Sequence, residues 1–191
     1  MSGVTALTAA DLHVHARLGI GSDLLDAARV RRVDDFDARQ LLGINGNAGD
    51  FAGIEYPYVD PQTGNRVTSR VRLDHPPLKA DGSPDGKYRS GYGDNRHLYL
   101  PPNSAAMLKD VSVPGAVVES EKAALALTAA AARAGRRLTV VATGGCWGWR
   151  GRVGKTEDPS GARVDVKGAL NDIGRIDWEN RLASIVFDGD V

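Results

Sequence analysis

Residues 115–143 read GAVVESEKAALALTAAAARAGRRLTVVAT, and this stretch decides the fold. The short apolar run ending at Val118 predicts a strand, Ser120-Glu121-Lys122 a helix start, and the alanine-rich run to Gly135 a helix. RLTVVAT, residues 137–143, predicts a second strand, and LASIVFD, residues 182–188, a third. Strands alternating with helical segments imply an α/β arrangement with a parallel sheet and right-handed crossovers. In such a sheet ligands bind beyond the carboxyl ends of the strands, where helix N-termini supply dipoles.

Three carboxylates fall at those ends: Glu119 after the first strand, Asp188 and Asp190 after the third. Two residues apart in extended chain, Asp188 and Asp190 point to one side. Carboxylates gathered without His or thiolate suit a hard oxygen-seeking cation, Mg2+ or Mn2+. The same strings also read as an ordinary Asp-Gly-Asp turn and an ordinary helix start, so pattern alone leaves both readings open.

Working outward, residues 1–50 predict a small helical lead-in of two or three helices: LTAADLHVHARLG, SDLLDAARV and DDFDARQLLG. Ser22 and Asp34 are candidate N-caps, Gly19 and Gly43 candidate stops. Residues 51–112 change character, with GIEYPYVD and RVTSRVRLD alternating at period two around the turn PQTGN. KYRSGY and RHLYL add short strand candidates, so a small antiparallel sheet is expected there, followed by the parallel βαβ sheet over 113–191. The segment 144–168 reads as a mixed loop and NDIGRIDWENR as a short amphipathic stretch.

Lys plus Arg equals Asp plus Glu at 24 each in 191 residues, so bulk charge names no partner and any polyanion must be read from local clusters. Arg66, Arg70 and Arg72 alternate on the hairpin and are expected on one face, with Lys87, Arg89 and Arg96 following and Tyr88, Tyr92 and Tyr99 interleaved. The loop after Thr143 holds Gly144, Gly145, Trp147, Trp149, Arg150 and Arg152: glycines allow phosphate close approach, and indole or guanidinium planes stack on bases. A solvated sheet face and a loop packed on its own tryptophans are the plainer readings of the same residues. The lone Cys146 excludes a disulfide framework and a zinc ribbon of paired cysteines, reads as a small buried thiol, and points to a reducing cytoplasm. No leader pattern and no run near the ~18 apolar residues of a membrane span is present, so no membrane partner is expected. GRVGKT is not a P-loop, because position 149 is Trp where the motif needs Gly, and His13 and His15 read as helix-surface histidines.

Read as motifs, VVESEKAALAL resembles the first motif of the TOPRIM domain, an apolar strand ending in Glu, matched by Glu119. IVFDGDV resembles its second, an apolar strand ending in Asp-x-Asp, matched by Asp188 and Asp190, and VVATGGCWGW resembles the strand and glycine turn between them. Upstream, GIEYPYVDPQTGNRVTSRVRLD, KYRSGYG and RHLYLPP resemble the stretch preceding TOPRIM in bacterial replicative primases. The whole is similar to the TOPRIM-like domain of unknown function in phage and plasmid primase-helicase proteins, through Glu119 to Lys122, Gly145 to Arg150 and Phe187 to Asp190, over roughly Asp23 to Val191.

That resemblance implies a Mg2+-dependent nucleotidyltransferase acting on single-stranded nucleic acid and nucleotides, with a helicase domain or protein as partner. Asp188 and Asp190 would hold the metal, with Glu119 a third ligand or a general base. Lys122, Gly144, Gly145, Arg150, Arg70, Arg72 and Lys87 would meet phosphate or nucleic acid. The chain departs from the primase pattern in lacking the zinc module and in having only Val191 after Asp-x-Asp, which implies a TOPRIM-like sheet without its last elements. A non-catalytic nucleic-acid-binding fragment and a TOPRIM nuclease are the alternatives.

Overall fold

The computed structural model describes residues 5–46 and 49–187, which form both helices and strands, in an antiparallel sheet, a parallel sheet and a separate antiparallel ribbon. The chain divides into two compact units, residues 1–94 and 95–191.

In the first unit, α1 (Ala9–Ala16) starts at a capping box, with the Thr8 side chain accepting from the Asp11 amide and the Asp11 carboxylate accepting from the Thr8 amide. α3 (Asp35–Leu42) is capped by Asp34, whose side chain accepts from the Asp37 amide, and ends at Gly43 with φ 63°. α2 (Ser22–Ala27) takes Gly21 as its N-cap, so Ser22 is the first helical residue and not the cap. These helices do not form a lead-in apart from the sheet. Between α2 and α3, β1 (Arg31–Val33) joins β2 (Gly53–Val59), β3 (Arg66–Leu73) and β4 (Tyr88–Ser90) in a four-stranded antiparallel sheet of order β1-β2-β3-β4. Pro57 is tolerated inside β2 because β1 stops opposite Glu55, leaving no neighbour there to require its missing amide. Val33, Ala38, Leu42, Val71 and Leu73 form a core on one face.

On the other face, α1 presents a buried histidine, and here the surface reading of His15 fails. It is 0% exposed, with Nδ1 2.7 Å from the Asp11 carbonyl and Nε2 2.9 Å from the Tyr56 hydroxyl, because α1 packs on the sheet and needs a polar partner for Tyr56. His13 is exposed, as expected.

In the second unit, β5 (Gly115–Val118), α4 (Glu121–Arg133), β6 (Thr139–Ala142) and β9 (Ala183–Val186) build a parallel sheet of order β6-β5-β9. Ser120 caps α4 by accepting from the Ala123 amide. RHLYL yields only a bridge, Tyr99 to Ala142, but Leu98, Leu100 and Leu108 join Val141, Leu170 and Ile176 in one core, so residues 95–112 belong with the parallel sheet. The segment expected to be a loop instead forms the ribbon β7 (Arg150–Glu157) and β8 (Arg163–Ala169), in which GRVGKT is strand, and Asn171–Arg175 is a 3-10 turn. No helix among the described residues is long and apolar enough to cross a membrane.

Candidate functional site

The carboxyl edge of the parallel sheet is assembled by register. Val118 lies opposite both Ala142 and Val186, so the chain leaves β5, β6 and β9 at one edge. Glu119 is the first residue beyond β5 and is half-buried. The Gly144-Gly145 turn beyond β6 is tied to it: the Gly145 amide donates to the Glu119 carbonyl at 2.9 Å, and the Thr143 hydroxyl donates to the Gly145 carbonyl at 2.8 Å. Gly145 has φ 125°, a conformation that a side chain strains. Lys122, half-buried, is in the first turn of α4 beside them. Glu119, Lys122, Gly144 and Gly145 are therefore brought to one edge, as the sequence placed them.

Asp188 and Asp190 lie outside the described residues. Among the described residues no group of three or more His, Cys, Asp or Glu side chains is placed to hold a metal ion. What the structure offers toward one is the donor chemistry of Glu119 and the shared edge at which β5 and β9 end. A carboxylate at that edge fits a hard cation.

Two residues that sequence reasoning did not single out, Glu121 and Gly148, shape this edge together with Tyr99, which was expected among the basic residues as a base-stacking candidate and is instead buried in the core. Glu121, in the first turn of α4, is 0% exposed. Tyr99 is buried as well, and burial first, then the Glu121 charge, pushes its hydroxyl well above the ordinary tyrosine range. Gly148 packs so closely on Thr143 that an added Cβ would sit 1.7 Å from the Thr143 carbonyl oxygen. The Gly-rich string signalled a tight loop, but nothing in it singled out Gly148, and a buried Glu one residue from a helix cap has no sequence signature.

Beyond the turn, Arg150 lies over the rings of Trp147 and Trp149, 5.3 and 5.7 Å from their centroids. Cys146 is exposed, against the expectation of a buried thiol, because it sits at the tip of this loop and not in a strand.

Of the other basic residues, Arg66, Arg70, Arg72, Lys87 and Arg89 belong to the first unit and Arg96 to the second. Arg70 stacks over Tyr88 at 4.9 Å, Arg72 is opposite Tyr88 in register, and Lys87 is exposed. Arg70 and Arg72 share a face, but Arg66 does not join them. Tyr58 pairs with Thr68 while Val59 pairs with Arg66, so Val67 is an extra residue that turns Arg66 to the opposite face. There Arg66 meets the buried Glu55 at 3.0 Å, together with Arg31 and Ser69. The expectation that all three arginines form one basic face is corrected accordingly.

No family model matches this chain, and no curated protein or solved structure matches it.

Proposed function

We propose that this protein is a TOPRIM-like, primase-type domain of a mobile-element replication protein, carrying out Mg2+-dependent nucleotidyl transfer on a single-stranded template. The observation that carries the reading is the β5–β9 register, which ends Glu119's strand and the strand leading to Asp188 and Asp190 at one sheet edge, beside a glycine turn hydrogen-bonded to Glu119. Asp188 and Asp190 would hold the cation, which neutralises phosphate charge when bound. Glu119 joins them as ligand or takes the proton of the attacking hydroxyl. In the second unit Lys122 and the Gly144-Gly145 amides meet phosphate oxygens and Arg150 contacts the nucleic acid; in the first unit Arg70, Arg72 and Lys87 are a separate candidate contact surface. The chemistry suits a cytoplasmic protein working beside a helicase.

Calorimetric titration with Mg2+ and Mn2+ tests the metal. Binding abolished by Asp188→Asn with Asp190→Asn supports the reading, and binding unchanged by that pair overturns it. Primer synthesis on oligo(dT), lost in Glu119→Gln, supports the enzyme. Salt-sensitive binding without synthesis assigns a non-catalytic module instead, and template cleavage a nuclease.

A further inference from the structure

The ribbon β7–β8 carries a charge arrangement that the acidic edge does not explain. Arg152 lies directly opposite Lys167 in the ladder. Like charges facing each other across an antiparallel pair destabilise it, so a ribbon that keeps two cations there is shaped by something other than its own folding. The neighbouring pairs are the ordinary kind: Lys155 faces Asp165, and Glu157 faces Arg163.

A bulge enlarges this cluster. Arg152 pairs with Lys167 and Gly154 with Val166, which leaves Val153 as an extra residue. In a regular strand residues 152 and 155 would point to opposite faces. With the bulge, Arg152 and Lys155 share the face of Lys167 and Asp165. Arg150, two pairs further toward the root of the ribbon, adds a cation to that face, and the guanidinium lies over Trp147 and Trp149. The acids on this face are Glu157, across from Arg163, and Asp165, 4.0 Å from Arg152. The face therefore remains net positive in a chain whose formal charge is zero. Arg152 and Lys155 also line a cleft of about 290 Å³ with Arg96 and His97, although Arg96 itself packs against Gly151 on the other face of the ribbon. The one carboxylate of that cleft, Asp172, is engaged by His97, the Leu98 amide and Arg175.

At the root of the ribbon Trp147 is 65% exposed and Trp149 38%. Exposed indoles beside a cation cluster are what unpaired bases stack on, whereas the bases of a duplex are stacked on one another.

We infer that the β7–β8 ribbon and the tryptophan loop at its root form a track for single-stranded nucleic acid, in which Arg152 and Lys167 engage backbone phosphate and Trp147 stacks on a base. The partner class is that of the function proposed above, and the inference rests on that reading for it, but the track needs no metal.

The test is fluorescence anisotropy with fluorescein-labelled oligo(dT) in EDTA over a salt series. Arg152→Gln with Lys167→Gln is expected to weaken binding roughly tenfold and to lower the salt slope by about two. Trp147→Ala is expected to weaken it about fivefold or more and to remove part of the tryptophan quenching seen on binding. Lys79→Gln with Arg136→Gln, which changes net charge equally at exposed positions elsewhere, is expected to stay within about twofold of wild type. Thermal unfolding provides an independent readout, because relief of the like-charge pair leaves the ribbon double variant at least as stable as wild type. Equal losses in the two double variants, no loss in the ribbon variant, or tighter binding of duplex than of oligo(dT) overturns the inference. Glu119→Gln and the Asp188/Asp190 variants are expected to keep oligo(dT) binding in this metal-free assay. Wild-type protein that binds oligo(dT) but, in the calorimetric titration, neither Mg2+ nor Mn2+ sinks the acidic-edge reading alone, and wild-type protein that binds the metal through Asp188 and Asp190 but no oligo(dT) sinks only the track.

Discussion

The Gly145 amide donates to the Glu119 carbonyl at 2.9 Å, so the backbone of the glycine turn after β6 and that of Glu119 after β5 are held together. The turn closes only because Gly148 packs flat on Thr143, where a Cβ would meet the carbonyl oxygen at 1.7 Å. Gly148→Ala is expected to lower stability by about 2 kcal/mol or more and to alter the near-ultraviolet signal of Trp147 and Trp149. Gly174→Ala, whose Cβ meets nothing within 4 Å, is expected to change stability by less than about 0.5 kcal/mol. Urea denaturation of both variants decides it, and equal effects would remove the close approach as the cause.

Arg181 is buried at 7% exposure and makes five hydrogen bonds, to the carbonyls of Asp177, Val113, Met107 and Leu108 and to the Thr139 hydroxyl. It ties the starts of β5 and β6 to the 3-10 turn at Ala105–Met107. Arg181→Met is expected to cost about 3 kcal/mol, since several buried acceptors lose their donor at once. Arg181→Lys should recover only part of this, a point charge being unable to reach the same fork of partners. Chemical denaturation of the two variants ranks them.

Asp11 accepts two hydrogen bonds from Arg32, which also reaches Asp74. The Arg32 hydrogen bonds, first among several causes, hold the Asp11 carboxyl well below its ordinary value of 3.8. A depressed folded-state pKa stabilises the fold above the unfolded value and loses that stabilisation as pH falls. The denaturation midpoint of the wild type should therefore drop between about pH 5 and pH 2, and Asp11→Asn should show a shallower drop from a lower starting stability. An identical pH slope in the variant would show that other carboxylates carry the effect.

Tyr99 behaves in the opposite sense. Its hydroxyl is held above the ordinary value of 10.0, so the unfolded chain ionises first as pH rises. The neutral, buried form supports the fold up to about pH 10 and that support is lost beyond it. Tyr99→Phe should flatten the decline in denaturation midpoint between about pH 9 and pH 11. An unchanged slope would assign alkaline unfolding to other groups.

Because the bulge at Val67 turns Arg66 toward the buried Glu55, Arg66 and Arg72 are expected to separate by phenotype. Arg66→Gln should lower stability by about 1 kcal/mol while leaving oligo(dT) affinity within about twofold. Arg72→Gln should weaken binding with little loss of stability. The reverse pattern, in paired denaturation and anisotropy measurements, would place Arg66 on the nucleic-acid face after all.

The sequence by itself determined the strand and helix grammar. Period-two alternation marked β2 and β3, the capping residues and glycines bounded α1, α3 and α4, and the strand–helix–strand order of residues 115–143 required parallel pairing that gathers Glu119 and Gly144-Gly145 at one edge. These follow from local sterics and hydrophobic periodicity, which each segment carries within itself.

Only the tertiary structure decided the faces. Whether Arg66 joins Arg70, or Arg152 joins Lys155, depends on a single unpaired residue in a ladder, and that depends on how the partner strand sits. The burial of His15 and Glu121, the exposure of Cys146, and the pairing of residues 150–157 with 163–169 are likewise set by what packs opposite each residue. A one-residue shift in register reverses a strand's outward face without changing a letter of its sequence.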